Sequence, residues 1–142
     1  VGALLAAAAP SSFASPAWLS SWSKAVQESK QTGRPILALF TGSDWCPPCK
    51  ALDGDVFSSP VFASWAKSHV VLVKFDFLRQ HPQPAAVSSA NEAMQAQFQV
   101  SAFPTVLFLS ADGRQLGRQS GYSRVGPSFW TKTADYILAK RH

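Results

Sequence analysis

Apolar residues follow two rhythms along this chain. Three stretches are almost continuously apolar, at residues 36–40, 70–77 and 106–109. Short runs of this kind predict central strands covered on both faces. Between them, apolar residues three and four apart predict helices. The first helix carries Ala17, Trp18, Trp22, Ala25 and Val26; Pro16 opens it, and Gly33 with Pro35 stops it. Another carries Ala51, Leu52, Val56 and Phe57, with Gly54 marking a kink or break. Ser59-Pro60 has the chemistry of a cap and first position for a helix through Phe62, Trp65 and Ala66. Ser88 or Ser89 is expected to cap a helix with Ala93, Met94 and Phe98, and Pro127 to open a terminal helix with Trp130, Ala134 and Leu138. The sequence Ala111-Asp112-Gly113-Arg114 has turn chemistry and should join the third strand to an edge strand around Gln115 to Arg118. Helices and strands that alternate without a repeat or linker predict a single α/β domain, a mixed sheet flanked by helices on both faces.

Composition narrows the class. A chain of 142 residues has room for one domain and a sizeable core. Its 46% hydrophobic and 15% charged content is that of a globular protein. Thirteen basic residues against eight acidic ones give a net charge of +5. The basic residues are scattered, with no run beyond Lys140-Arg141, so no nucleic-acid partner is expected. A weak preference for acidic partners or anionic surfaces remains open. Residues 1–9 form an apolar run too short to span a bilayer, and small residues follow, with Ser12 and Ala14 at signal-peptidase spacing. Residues 1–16 therefore read as a signal-peptide remnant or an N-terminal extension, and the domain proper as 17–142. The signal reading places the protein in the periplasm or another extracytoplasmic envelope compartment.

Both cysteines lie in Phe40-Thr41-Gly42-Ser43-Asp44-Trp45-Cys46-Pro47-Pro48-Cys49-Lys50, between the first strand and a helix. Structural zinc needs four ligands, usually as two close pairs, and His69, His81 and His142 supply no second pair. Haem attachment needs a histidine where Lys50 stands. No metal and no cofactor are expected. A purely structural bridge across two residues would close a very short loop and remove little unfolded-state entropy. A Cys-x-x-Cys between strand and helix instead suits redox chemistry: at a helix N-terminus the dipole and free N–H groups favour a thiolate. Cys46 is thus the expected nucleophile. Cys49, one turn further in and more buried, is expected to resolve the mixed disulfide.

From about Ala17 onward the chain resembles the thioredoxin superfamily. The resemblance rests on Trp45-Cys46-Pro47-Pro48-Cys49-Lys50 after a central strand, Pro104 before a later strand, and a hairpin followed by a terminal helix. The Phe40-to-Cys46 lead-in, the Val56-Phe57-Ser58-Ser59-Pro60 continuation and Gly121-Tyr122 look like secreted bacterial members. The resemblance implies a cis Phe103-Pro104 peptide facing the dithiol, with backbone beside Cys46 for a substrate strand to pair with. Trp45, Pro47 and Phe103 are then an apolar substrate-binding rim. Many thioredoxins carry a buried aspartate where Phe40 stands, so the Cys49 proton must leave by another route. Lys74 matches a lysine near that acid; it tunes a thiol pKa if it points inward, or keeps its ammonium in water.

The favoured function is a thiol-disulfide oxidoreductase of the bacterial envelope that reduces disulfides of exported proteins, as a monomer. With no nicotinamide or flavin motif in view, its electrons are expected from a partner, a membrane thiol-disulfide relay. Pro47-Pro48 removes two N–H donors near the Cys46 sulfur. A less stabilised thiolate disfavours the dithiol and makes a better reductant. The alternatives are a net oxidase or isomerase, dedicated reduction of apocytochrome c, and a non-catalytic chaperone-like module holding unfolded chains in the groove around Trp45 and Pro104.

Overall fold

A computed structural model describes residues 15–140. The signal or extension reading of residues 1–16 and the terminal His142 therefore fall almost wholly outside the described residues.

The sheet is built around β1 (Ile36–Thr41), buried along its whole length. It pairs in parallel with β2 (Val71–Asp76) and antiparallel with β3 (Thr105–Leu109); β4 (Gln115–Ser120) closes the far edge, giving the order β2-β1-β3-β4. Alternate residues of the central strands feed two cores. Leu37, Leu39, Leu72, Val106 and Phe108 face one side, against α2 (Pro47–Leu52), α3 (Pro60–His69) and α5 (Pro127–Ala139). Ile36, Ala38, Phe40, Val73 and Leu107 face the other, where Ala25 of α1 (Trp22–Thr32) and Met94 of α4 (Ala85–Gln97) cover them. Phe40, Phe62 and Phe108 are fully buried, each contributing roughly 1.5–3 kcal/mol of hydrophobic stabilisation. At the edge, Gly117 is needed because a Cβ there would run into the Ile137 side chain of α5.

The strands, the β3-β4 hairpin and the openings of α3 and α5 follow the sequence pattern; two helix starts do not. The first helix begins at Trp22 rather than Pro16. Ser21 caps it by accepting the Lys24 N–H, and the preceding residues are extended. Leu19 makes a parallel bridge to Val73, with Leu19 N–H donating to the Leu72 carbonyl and Lys74 N–H to the Leu19 carbonyl. Trp18 and Leu19 consequently pack on opposite cores, the two-residue rhythm of an extended segment. In α4, Ser88 and Ser89 lie inside the helix, which starts after Pro84. The Pro84 carbonyl accepts from Val87 and Ser88, so the last residue of the Pro-rich loop closes the first turn.

The segment after the cysteines is continuous in direction but changes pitch. Helix α2 ends at Leu52 and runs into a π-helical turn, Asp53–Phe57, containing Gly54. The weak position there widens the helix rather than breaking it. Ser59 joins this turn to α3, donating to the Val56 carbonyl and accepting the Phe62 N–H.

Candidate active site

The turn after β1 fixes the first cysteine. The Gly42 carbonyl accepts N–H bonds from Trp45 (3.3 Å) and Cys46 (3.0 Å), leaving Cys46 as the extended N-cap of α2. Pro47 and Pro48 occupy the first helical positions, both exposed, and contribute no N–H. Cys46 and Cys49 are joined as a disulfide, with Cα atoms 5.2 Å apart. Their environments differ in kind. The Cys46 sulfur lies 3.7 Å from the Phe103 carbonyl oxygen, whereas Cys49 sulfur accepts the Gly42 N–H at 3.4 Å. Depth does not distinguish them, contrary to the expectation that Cys49 is the more buried: each residue is 3% exposed in the bridged form. The Phe103-Pro104 peptide is cis, Phe103 is half-buried and Pro104 buried.

Trp45 is half-buried and tightly held. Its indole N–H donates to the Phe77 carbonyl at 2.7 Å, and its ring meets Phe103 edge-on with centroids 5.9 Å apart. The ring lies on Gly42, where any Cβ would overlap it. The Arg79 guanidinium sits 3.4 Å from the ring centroid. Trp45, the residue before Cys46, therefore has an apolar neighbour in Phe103 and a cationic one in Arg79.

Two carboxylates that the sequence did not single out hold these parts in place. Asp44, its side chain 8% exposed, accepts the N–H groups of Arg79, Gln80 and His81 at 2.9–3.0 Å. The exposed His81 ring adds Nδ1 at 3.0 Å from the same carboxylate. Burial opposes the charge on Asp44, but the bonds from Arg79, the His81 ring, Gln80 and the His81 backbone outweigh it and bring its pKa from 3.8 to about 2. Asp76, at the end of β2, accepts the Ser43 N–H and hydroxyl, and its carbonyl receives the amide groups of Gln83 and Asn91. Ser43 and Asp76, and Asp44 and residues 79–81, lie more than 30 positions apart in sequence, which hides these pairs from a local reading. A polar Ser43-Asp44 one residue beyond a buried strand is the one local signal.

The comparisons with known proteins agree with this geometry. Residues 22–129 match the family described as thioredoxin-like domain. The chain belongs to that family. It is 34% identical over 112 residues to disulfide bond reductase DsbH of Chlamydia pneumoniae, covering 79% of this chain and 68% of DsbH. It is 31% identical over 101 residues to thioredoxin-related protein DsbJ of the same organism, covering 71% of this chain but 29% of DsbJ. A solved structure of a DsbH oxidoreductase superposes with a TM-score of 0.84 at 32% identity, covering 99% of this chain and 96% of that one. A thioredoxin fold with a redox-type cysteine pair and this homology makes the protein a thiol-disulfide oxidoreductase.

Behind the dithiol, this thioredoxin-like domain has a cavity of about 240 Å³ lined by Cys49, Thr41, Lys50, Asp53, Lys74 and Asp76 among others. Lys74 pairs in register with Leu39 on β1; it is half-buried, and its ammonium lies 5.0 Å from the Trp18 ring centroid. The side chain thus borders the cavity that Cys49 borders while resting on an indole. The fully buried Phe40 sits on the opposite face of the sheet, packed at 5.0 Å on Phe75. Among the described residues no group of three or more His, Cys, Asp or Glu is placed to hold a metal ion, and no helix is long and apolar enough to cross a membrane.

Proposed function

We propose that the protein reduces disulfides of exported proteins in the bacterial envelope. Cys46 is the nucleophile: its thiolate attacks one substrate sulfur, the other substrate sulfur leaves as a thiolate and takes a proton, and a mixed disulfide forms. Cys49, as thiolate, then attacks the Cys46 sulfur; the second substrate thiol is released, and the protein is left as the Cys46-Cys49 disulfide. Two electrons have passed to the substrate. A partner dithiol must return them, and we assign this role to a membrane thiol-disulfide donor. Support comes from homology to DsbH, whose name is that of a disulfide bond reductase. The extracytoplasmic assignment rests on the apolar start of the sequence.

The observation that carries the direction is the setting of the Cys46 sulfur. It sits at the start of α2, where two prolines withhold N–H groups, and its neighbour is a carbonyl oxygen. A carbonyl dipole does not stabilise a thiolate, so the dithiol is favoured less than in a strongly oxidising protein. Trp45, Pro47, Phe103 and Pro104 form the surface on which the substrate strand lies. The Cys49 proton leaves through the cavity behind it, which Asp53 and Asp76 line, and the Lys74 ammonium on the same cavity favours the thiolate.

The test is exchange with a peptide disulfide, using dithiothreitol as electron donor. The wild-type protein accelerates reduction, Cys46→Ser is inactive, and Cys49→Ser accumulates a mixed disulfide with the peptide. If the double variant Cys46→Ser, Cys49→Ser suppresses aggregation of an unfolded chain as well as the wild type does, and the wild type reduces nothing, the protein is a holding module instead.

A further inference from the structure

Arg79 presents a cation on Trp45, the residue before Cys46, and no ion pair neutralises it among the described residues. Its guanidinium is stacked on Trp45 at 3.4 Å, and its only hydrogen bond among the described residues is made by its backbone N–H, to Asp44. The carboxylate best placed to pair with it is committed elsewhere: the Asp44 oxygens take the backbone N–H groups of residues 79–81 and the His81 ring. Glu92 borders a neighbouring cavity of about 260 Å³ together with Arg79, Phe77 and Phe103, yet forms no ion pair with it. Arg79 is exposed and its backbone is pinned by the Asp44 bond. A guanidinium stacked on an aromatic face keeps its N–H edge free for a planar anion.

We propose that Arg79 is a specificity residue of the exchange reaction and selects partner proteins with an Asp or Glu close in sequence to the cysteine attacked by Cys46. The inference rests on the thiol-disulfide reading given above. The partner strand crosses Phe103 and Pro104, and its carboxylate meets the outer edge of the Arg79 guanidinium. Trp45, the residue before Cys46, carries the guanidinium, and Gly42, Phe77 and Phe103 hold its indole in place. Opposite charges at such a rim act mainly on encounter, so the preference shows in kcat/KM and weakens as salt rises.

Three peptide disulfides identical except for Asp, Asn or Lys beside one cysteine test this, with kcat/KM measured at low and high ionic strength. The full chain should prefer the Asp peptide over the Lys peptide by about 3- to 10-fold at low salt, and less at high salt. In Arg79→Gln this ratio should fall to about one, in Arg79→Glu it should invert, and in Arg79→Lys its sign should survive. A ratio that persists in Arg79→Gln overturns the proposal and assigns the preference to the overall basic charge. Equal rates for all three peptides in the wild type overturn it while leaving the exchange reaction intact. No exchange with any peptide removes both this inference and the functional reading beneath it.

Discussion

At the scale of single residues, the chemistry separates into two sulfurs with different neighbours. Cys46 faces the Phe103 carbonyl, and Cys49 faces the Gly42 N–H and the polar cavity. A donor on the inner sulfur and none on the outer one among the described residues is an arrangement in which the inner thiol can ionise to resolve a mixed disulfide. Around them, Asp44 binds the 79–81 loop in its charged form. Its pKa of about 2 is below the unfolded value, so its stabilising contribution is complete above about pH 4 and disappears as the pH falls towards 2. Comparison of wild type with Asp44→Asn in denaturant titrations should therefore show a stability difference that is constant at neutral pH and vanishes in strong acid. A difference that instead grows on acidification would mean that the carboxylate is not held ionised by those N–H groups. Trp45 gives a second residue-level prediction. Gly42→Ala places a methyl group inside the indole, so the ring must move. The variant should lose about 1–3 kcal/mol in denaturant melts and show altered tryptophan fluorescence together with slower exchange.

Among the elements, the turn from Ser58 to Ser59 matters because it joins the helix carrying Cys49 to α3. Ser59→Ala removes both the cap on the Phe62 N–H and the bond to the Val56 carbonyl, and should cost about 1 kcal/mol in thermal or chemical unfolding. That cap was legible in the sequence because Ser-Pro before an apolar helical pattern has a local physical meaning. The same holds for the apolar runs that became β1, β2 and β3, and for the cysteine spacing. The start of α1 was not legible, because Trp18 and Leu19 fit a helical rhythm as well as an extended one. What decides between them is the edge of β2, which offers Leu19 hydrogen bonds from a segment more than fifty residues away. Likewise Ser88 has the chemistry of a cap, but its hydroxyl donates to Gln83 while Pro84 is the residue that caps the helix. At the site, the cysteines and Pro104 could be found from their order, whereas Asp44, Asp76 and Arg79 gain their places only when the end of β2 is brought against the end of β1.

In the molecule as a whole, one sheet divides two cores, and the dithiol rests on the side built from aromatic rings. Phe57, at the end of the helical segment that follows Cys49, meets Phe62 and Trp130 edge-on, and those two meet each other edge-on, with ring centroids 4.8–5.7 Å apart. Phe62→Ala should lower global stability by about 3–5 kcal/mol, measured by denaturant unfolding. This aromatic floor supports a site whose outer sulfur is poor in donors, and the proposed direction of chemistry rests on that poverty. The most direct test is the reduction potential of the Cys46-Cys49 pair, obtained by equilibration with glutathione and with a dithiol buffer at neutral pH. A reductase of this construction should have a potential near about −270 mV, in the thioredoxin range. A potential near about −120 mV, typical of a strong oxidant, would contradict the account and mean that the protein introduces disulfides instead of removing them.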